Sequence, residues 1–179
     1  MTIETLNQTI CYRAHAFDVA KVRVRLPDGR QRDYDLVDHA NSVTVLPVDD
    51  EGQMIFVVQH RVGAGGRLLE LPAGVLEDGE PPLVCAKREL REEIGMAAQV
   101  FKELGGFYLA PGYANEYMTA FLATGLYDAP LDPDQDEFLS LVTMPVAEAY
   151  HRAESGGFQD AKTLAALLLA RSHLLAEKA

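Results

Sequence analysis

Apolar and polar positions alternate along the chain with two different periods, and the changes of period mark where strands give way to helices. Over 20–26 the apolar residues are Val22, Val24 and Leu26, every second position, as in a half-buried strand. Pro27-Asp28-Gly29 supplies turn chemistry, and 31–37 continues as the second strand of a hairpin. Ser42–Val48 and Met54–His60 are apolar runs either side of a turn at Asp49–Gly52, and they predict two central strands. At 82–94 the period becomes helical, because Leu83, Ala86, Leu90 and Ile94 are spaced three, four and four. Pro81 and Pro82 suit its first turn and Gly95 its end. Strands follow at 97–109 and 117–124 around a loop at Ala110–Glu116, and another at 138–144 after an acid-rich loop at 126–136. A short helix is expected at 146–154, stopped at Gly156-Gly157. A final helix is expected behind Asp160 as its cap, with Leu164, Leu167, Leu168 and Leu175 on its buried side. The first ten or so residues read as a linker. Strands joined by hairpins and mixed with a few helices predict an α/β chain of the α+β type, a mixed sheet between helices.

Bulk properties narrow the function. A chain of 179 residues with 48% hydrophobic residues is long enough for one domain with a well-buried core. The formal net charge of −11 and a pI near 4.8 argue against duplex nucleic acid or an anionic membrane as partner. Cys11 and Cys85 form no C-x-x-C, so neither a disulfide scaffold nor a zinc site is expected. The amino terminus has no basic segment leading into an apolar run, and no stretch approaches the ~18 apolar residues of a membrane span. The expectation is a cytoplasmic protein. The loop at 62–67, although glycine-rich, fits no phosphate-binding glycine motif and reads as a hairpin connection.

The predicted helix at 82–94 carries the chemistry. Glu89, Glu92 and Glu93 fall within an arc of about 100°, an acidic ridge opposite the apolar stripe. Such a ridge is either a solvated face or a cation site, and oxygen-only donors suit Mg²⁺, with Mn²⁺ as a substitute. Glu89 and Glu93 are the expected direct ligands, while Glu92 completes the site or holds waters. Arg88 lies about 100° or more away on the helix and is expected to make a structural ion pair back to Glu80.

The full spacing, Gly74, five residues, Glu80, seven residues, Arg88-Glu89-Leu90, one residue, Glu92-Glu93, one residue, Gly95-Met96, closely resembles the motif of the Nudix hydrolases. Outside it, Gln59-His60-Arg61, Glu70-Leu71-Pro72-Ala73-Gly74 and Pro111-Gly112-Tyr113-Ala114-Asn115-Glu116 resemble the ADP-ribose pyrophosphatase branch. The resemblance implies an α/β/α sandwich that hydrolyses a diphosphate with Mg²⁺ by water attack on phosphorus, acting on ADP-ribose as a homodimer. It also implies that Arg61 contacts phosphate, that Glu70 supports the substrate site and that the Ala73 carbonyl binds metal. Pro111 would line the substrate site, although Pro111-Gly112 is also an ordinary type II turn. Asp136-Glu137 resembles the loop from which some members supply a base. The catalytic set is then Glu92, Glu93 and Glu137; if Glu137 is not the base, a box glutamate is. Residues 1–40 correspond to the branch's dimerisation region and 41–179 to the hydrolase domain. His60 stands where many members have an aromatic residue, and Tyr34, Phe107 and Tyr113 all remain candidates for stacking on adenine. A GDP-mannose hydrolase, a non-catalytic ligand-binding regulator and an isomerase of isoprenoid diphosphates are the competing classes. The regulator would add a basic helix-turn-helix and a degraded box, neither of which is present, and the isomerase would call for catalytic Cys and Glu in a different setting.

Overall fold

A computed structural model describes residues 2–132 and 138–175. The chain forms two compact units, 1–41 with 108–117, and 42–107 with 118–179.

The first unit is an antiparallel meander of β1 (Glu4–Arg13), β2 (Asp18–Arg25) and β3 (Gln31–Asp38). The hairpin expected at 20–37 is β2 and β3, turned by Gly29 at φ +86°. The amino-terminal residues are not a linker. Residues 4–13 carry no clean alternation, yet they pair with β2 from Glu4 opposite Arg25 to Arg13 opposite Asp18, held by the backbone ladder rather than by a buried face. In the same unit, Val37 N–H donates to Tyr113 O at 2.7 Å and Asn115 Nδ2 donates to Asp38 at 2.7 Å, fixing the 110–115 segment beside β3.

The second unit holds a mixed sheet in the order β10 (Ser140–Pro145), β5 (Gln53–Arg61), β4 (Ser42–Val48), β9 (Tyr117–Asp128), β8 (Met96–Tyr108). β6 (Gly66–Glu70) pairs with β5 and β7 (Ala73–Val75) with β4. The glycine-rich connection is a single 3₁₀ turn, Val62–Ala64, leading into β6. Because alternate residues of a strand face opposite sides, the central strands feed two cores. Val43, Val45, Ile55, Val57, Phe121 and Ala123 pack under α1 (Pro82–Ile94). Leu46, Val48, Met54, Phe56, Ala120 and Leu122 pack under α2 (Val146–Glu154) and α3 (Ala161–Leu174). This is the sandwich that the patterning predicts, with all three helices where they were expected.

The buried face of α3 differs from the expectation. Leu167 is buried, but Leu164 and Leu175 are each 37% exposed and Leu168 is 72% exposed. Lys162, Thr163, Ala166, Leu167 and Ala170 face inward instead. Small side chains let the helix lie close to the sheet, and with leucines on every side the apolar period cannot select a face. Tyr150 on α2 donates its hydroxyl to Leu167 O at 2.8 Å, and burial pushes that phenol up to about 12. Among the described residues no helix is long and apolar enough to cross a membrane.

Candidate active site

α1 begins without a side-chain cap. Pro81 precedes it and Pro82 opens it, where a missing N–H has no helical acceptor to satisfy. It ends on Gly95 in the left-handed region at φ +72°, whose N–H donates to Arg91 O at 3.2 Å. Cys85, Ala86, Leu90 and Ile94 are buried, while Leu83 is 40% exposed. With the apolar stripe fixed on the sheet, the ridge turns inward too. Glu89 and Glu93 are 8% and 6% exposed, and Glu92 is half-buried.

The strand before the helix shapes itself to these carboxylates. Pro72 O accepts from Val45 N–H at 2.9 Å and from Thr44 Oγ1 at 3.1 Å, and this lays Ala73 beside β4. There Ala73 N–H donates to Glu93 Oε2 at 3.0 Å. One residue on, a Cβ added to Gly74 would fall inside the Glu89 carboxylate, so only glycine leaves that space free. Cys85 Sγ donates to Val75 O at 3.5 Å, and burial, aided by the Glu89 charge, pushes its thiol up. It is a protonated donor here, unlike the reactive thiolate an attacking cysteine requires.

Arg88 does more than its helical angle suggests. It pairs with Glu80 as expected, Nη2 to Oε2 at 2.9 Å, and Glu80 also accepts from Glu77 N–H at 3.0 Å. Its Nη1 turns back onto the ridge, 2.6 Å from Glu89 Oε1 and 2.9 Å from Glu92 Oε2. The long side chain lets the guanidinium reach around the helix to the greatest local density of negative charge. Its hydrogen bond to Glu80, with the charge of Glu89, pushes its pKa further up, and the same bond holds Glu80 below the carboxylate range.

Across the site lies a second network. Glu70, at the end of β6, is 1% exposed. Arg61, at the end of β5, donates to it through Nε (2.9 Å to Oε1) and Nη2 (2.9 Å to Oε2), a two-point pairing. Lys162 of α3 donates to the same Oε2. Burial pushes Glu70 up, but Arg61 and Lys162 together outweigh it and hold the carboxyl below its ordinary value. Arg61 is raised chiefly by its hydrogen bond to Glu70, and the charge of Glu93 contributes as well, which ties the two networks electrostatically. Arg61, Glu70, Ala73, Glu89, Glu92 and Glu93 thus all belong to the second unit, on β5, β6, β7 and α1. The sequence marks Asp160 only as a cap and gives no sign of Lys162, because nothing in the local pattern marks a lysine in a helix's first turn as buried.

Other expected positions fall elsewhere. Pro111, Tyr34 and Tyr113 belong to the first unit. Pro111 opens a turn closed by Tyr113 N–H to Ala110 O at 3.0 Å, and Gly112 is not left-handed, so the turn is not type II. Tyr34 is 45% exposed, with the Arg32 guanidinium 5.6 Å from its ring centre, and Tyr113 is 63% exposed. Phe107 packs against the core under α2 and α3. Glu137 lies outside the described residues.

Among the described residues no three of His, Cys, Asp and Glu gather as a ready metal cluster. The donor set nevertheless fits a hard divalent cation. It is all oxygen, two of its carboxylates are buried, a cation already stands against Glu89 and Glu92 in the form of Arg88, and Gly74 leaves the space beside Glu89 clear.

A NUDIX domain profile matches residues 38–167. The chain belongs to the Nudix family. This Nudix chain is 35% identical over 166 residues to an ADP-ribose pyrophosphatase of Bacillus subtilis, covering 92% of the chain and 90% of that relative. It is 34% identical over 168 residues to an ADP-ribose pyrophosphatase of Mycobacterium tuberculosis, covering 92% and 81%. Among solved structures it is similar to an ADP compounds hydrolase, with a TM-score of 0.86 and 27% identity over 99% of this chain and 97% of that one.

Proposed function

We propose that this Nudix protein hydrolyses the diphosphate of a nucleoside diphosphate derivative, with ADP-ribose converted to AMP and ribose 5-phosphate. The observation that carries the reading is the half-exposed guanidinium of Arg61, gripped by buried Glu70 and felt by Glu93 of the carboxylate ridge. An anion-binding cation beside an acidic wall is what a diphosphate and a divalent cation need together.

Arg61 holds the diphosphate, and Glu70, with no surface left for substrate, acts by aiming Arg61. Glu89, Glu93 and Glu92, with the carbonyl of Ala73, are the residues that would hold Mg²⁺, or Mn²⁺ in its place. The cation would set positive charge against the phosphoryl oxygens and acidify the attacking water. Water adds to phosphorus, the bridging P–O bond breaks, and the water proton passes to a carboxylate: Glu137, or Glu92 or Glu93 of the box. The protein is proposed to work in the cytoplasm as a homodimer, with residues 1–40 as the dimerising region.

Incubation with Mg²⁺ and a panel of ADP-ribose, GDP-mannose, NADH and 8-oxo-dGTP, scored by product identity, tests the reading. AMP with ribose 5-phosphate as the fastest products supports it, and preference for GDP-mannose or for a nucleoside triphosphate overturns the substrate. Replacing Glu137 with Gln slows kcat more than it raises KM if Glu137 is the base, whereas an unchanged kcat moves that role to the box.

A further inference from the structure

Lys162 is 7% exposed, and an ammonium that far from water needs partners on every side. Its Nζ donates to Glu70 and, at 2.9 Å, to Asp160 Oδ2. Asp160 in turn is fixed as the cap of α3, accepting from Thr163 N–H at 3.1 Å and from Thr163 Oγ1 at 2.6 Å. Thr163 Oγ1 then accepts from Leu71 N–H at 2.9 Å, next in the chain to Glu70. The contacts close a ring that pins the first turn of α3 to the end of β6.

Arg61 stands on the open side of this ring. Its side chain is 43% exposed, against 1% for Glu70 and 8% for Lys162. Two hydrogen bonds fix a planar guanidinium in both direction and roll, so Arg61 faces wherever Glu70 directs it. Glu70 is itself held from behind, because Oε2 is shared between Arg61 and Lys162. Without the ammonium, the carboxylates of Glu70 and Asp160 lose the charge that bridges them, and Glu70 keeps its pairing with Arg61 but loses the hold from behind.

We propose that Lys162 is a positioning residue: acting through Glu70, it sets the direction in which Arg61 presents its guanidinium to the substrate diphosphate. The proposal rests on the reading of Arg61 as the diphosphate contact. A lysine that only holds α3 in place would lower stability and leave substrate affinity to its other determinants. A positioning lysine couples to Arg61.

The experiment is a double-mutant cycle on the full chain with Mg²⁺, using whichever of ADP-ribose, GDP-mannose and NADH is turned over fastest. Wild type, Arg61→Ala, Lys162→Met and the double variant are compared in KM and kcat separately, with thermal unfolding alongside. Lys162→Met is expected to raise KM about tenfold while kcat changes less than about threefold. In the Arg61→Ala background it should add nothing to KM, and Lys162→Arg should recover most of the loss. Independent, additive effects on KM overturn the proposal, as does an unchanged KM in Lys162→Met when Arg61→Ala raises it. If Arg61→Ala itself leaves KM unchanged, the reading of Arg61 is at fault and the proposal falls with it. Should Lys162→Met fail to fold, Lys162→Gln, which keeps a donor and drops the charge, takes its place in the cycle with the same outcomes.

Discussion

Replacing Gly74 with alanine separates the shape of the site from the stability of the fold. Gly74 is not in the left-handed region, so the added methyl strains no backbone; what it meets is the Glu89 carboxylate. Non-bonded heavy atoms need about 3.5 Å, which obliges that carboxylate to retreat by more than about 1 Å. It is the free end of a flexible side chain, so the retreat is achievable. The cost is crowding and the loss of the 2.6 Å bond to Arg88, about 1–2 kcal/mol and a few degrees in Tm. Catalysis is far less tolerant, since a misplacement of about 1 Å in a positioned group can cost about a hundredfold in rate. Gly74→Ala should therefore fold cooperatively, with kcat for ADP-ribose down about a hundredfold and a higher Mg²⁺ concentration at half-maximal rate. Steady-state kinetics over a Mg²⁺ titration, paired with thermal unfolding, measures both. A variant that keeps kcat within about threefold of wild type would refute the assignment of Glu89, because its carboxylate cannot stay where it is beside a Cβ.

Three more outcomes are expected. Glu93→Gln keeps the N–H acceptor for Ala73 but loses the charge; turnover should vanish while the melting curve stays close to wild type, and substantial activity would remove Glu93 from the metal set. Glu70 is held below its ordinary value of 4.5 when folded, so its share of stability is complete above that pH and is lost as pH falls through the lower folded value. Glu70→Gln should thus be destabilised by about 3 kcal/mol near neutrality, with the gap to wild type closing below pH 4.5 in urea titrations; parallel curves would contradict the linkage. Thr163→Val leaves the buried Leu71 N–H without its acceptor and should cost about 1–3 kcal/mol by chemical denaturation, a loss that Thr163→Ser largely avoids.

What the sequence reveals of this protein depends on whether the determinant is local. The extent of α1 is legible because both ends carry their own stops, Pro82 and Gly95, although Leu83 of its apolar stripe is exposed and Glu89 and Glu93 are buried beside the rest. The central strands declared themselves by continuous apolar runs. β1 did not, since Glu4–Arg13 is held by backbone pairing to a strand that begins only at Asp18, and its side chains are largely exposed. The inward face of α3 was hidden by an excess of leucine, and the close approach that selects Thr163, Ala166 and Ala170 is a property of the partner sheet. In the candidate site, spacing and resemblance single out the glutamates and Arg61, which the fold gathers in one unit. The reach of Arg88 onto the ridge depends on side-chain length and surrounding charge, and the burial of Lys162 on a carboxylate 92 positions earlier in the chain, neither of which local periodicity encodes.

The parallel pairing of β4 with β9 bears on how this protein reaches its native state. Ser42 aligns with Met118 and Val48 with Thr124, so the middle of the sheet cannot close until the intervening β5, β6, β7, α1 and β8 have been gathered into a single loop. Loop-closure entropy rises only slowly with length, but it must be met before the distant pairing returns any stabilisation, and high contact order slows folding. The acidic helix lies inside that loop. Closing β4 on β9 therefore encloses Glu89, Glu92 and Glu93 in the loop, with Arg88 close by in the chain to screen them. Divalent cation added during refolding should therefore alter the rate at which β9 locks onto β4, and not only the final stability.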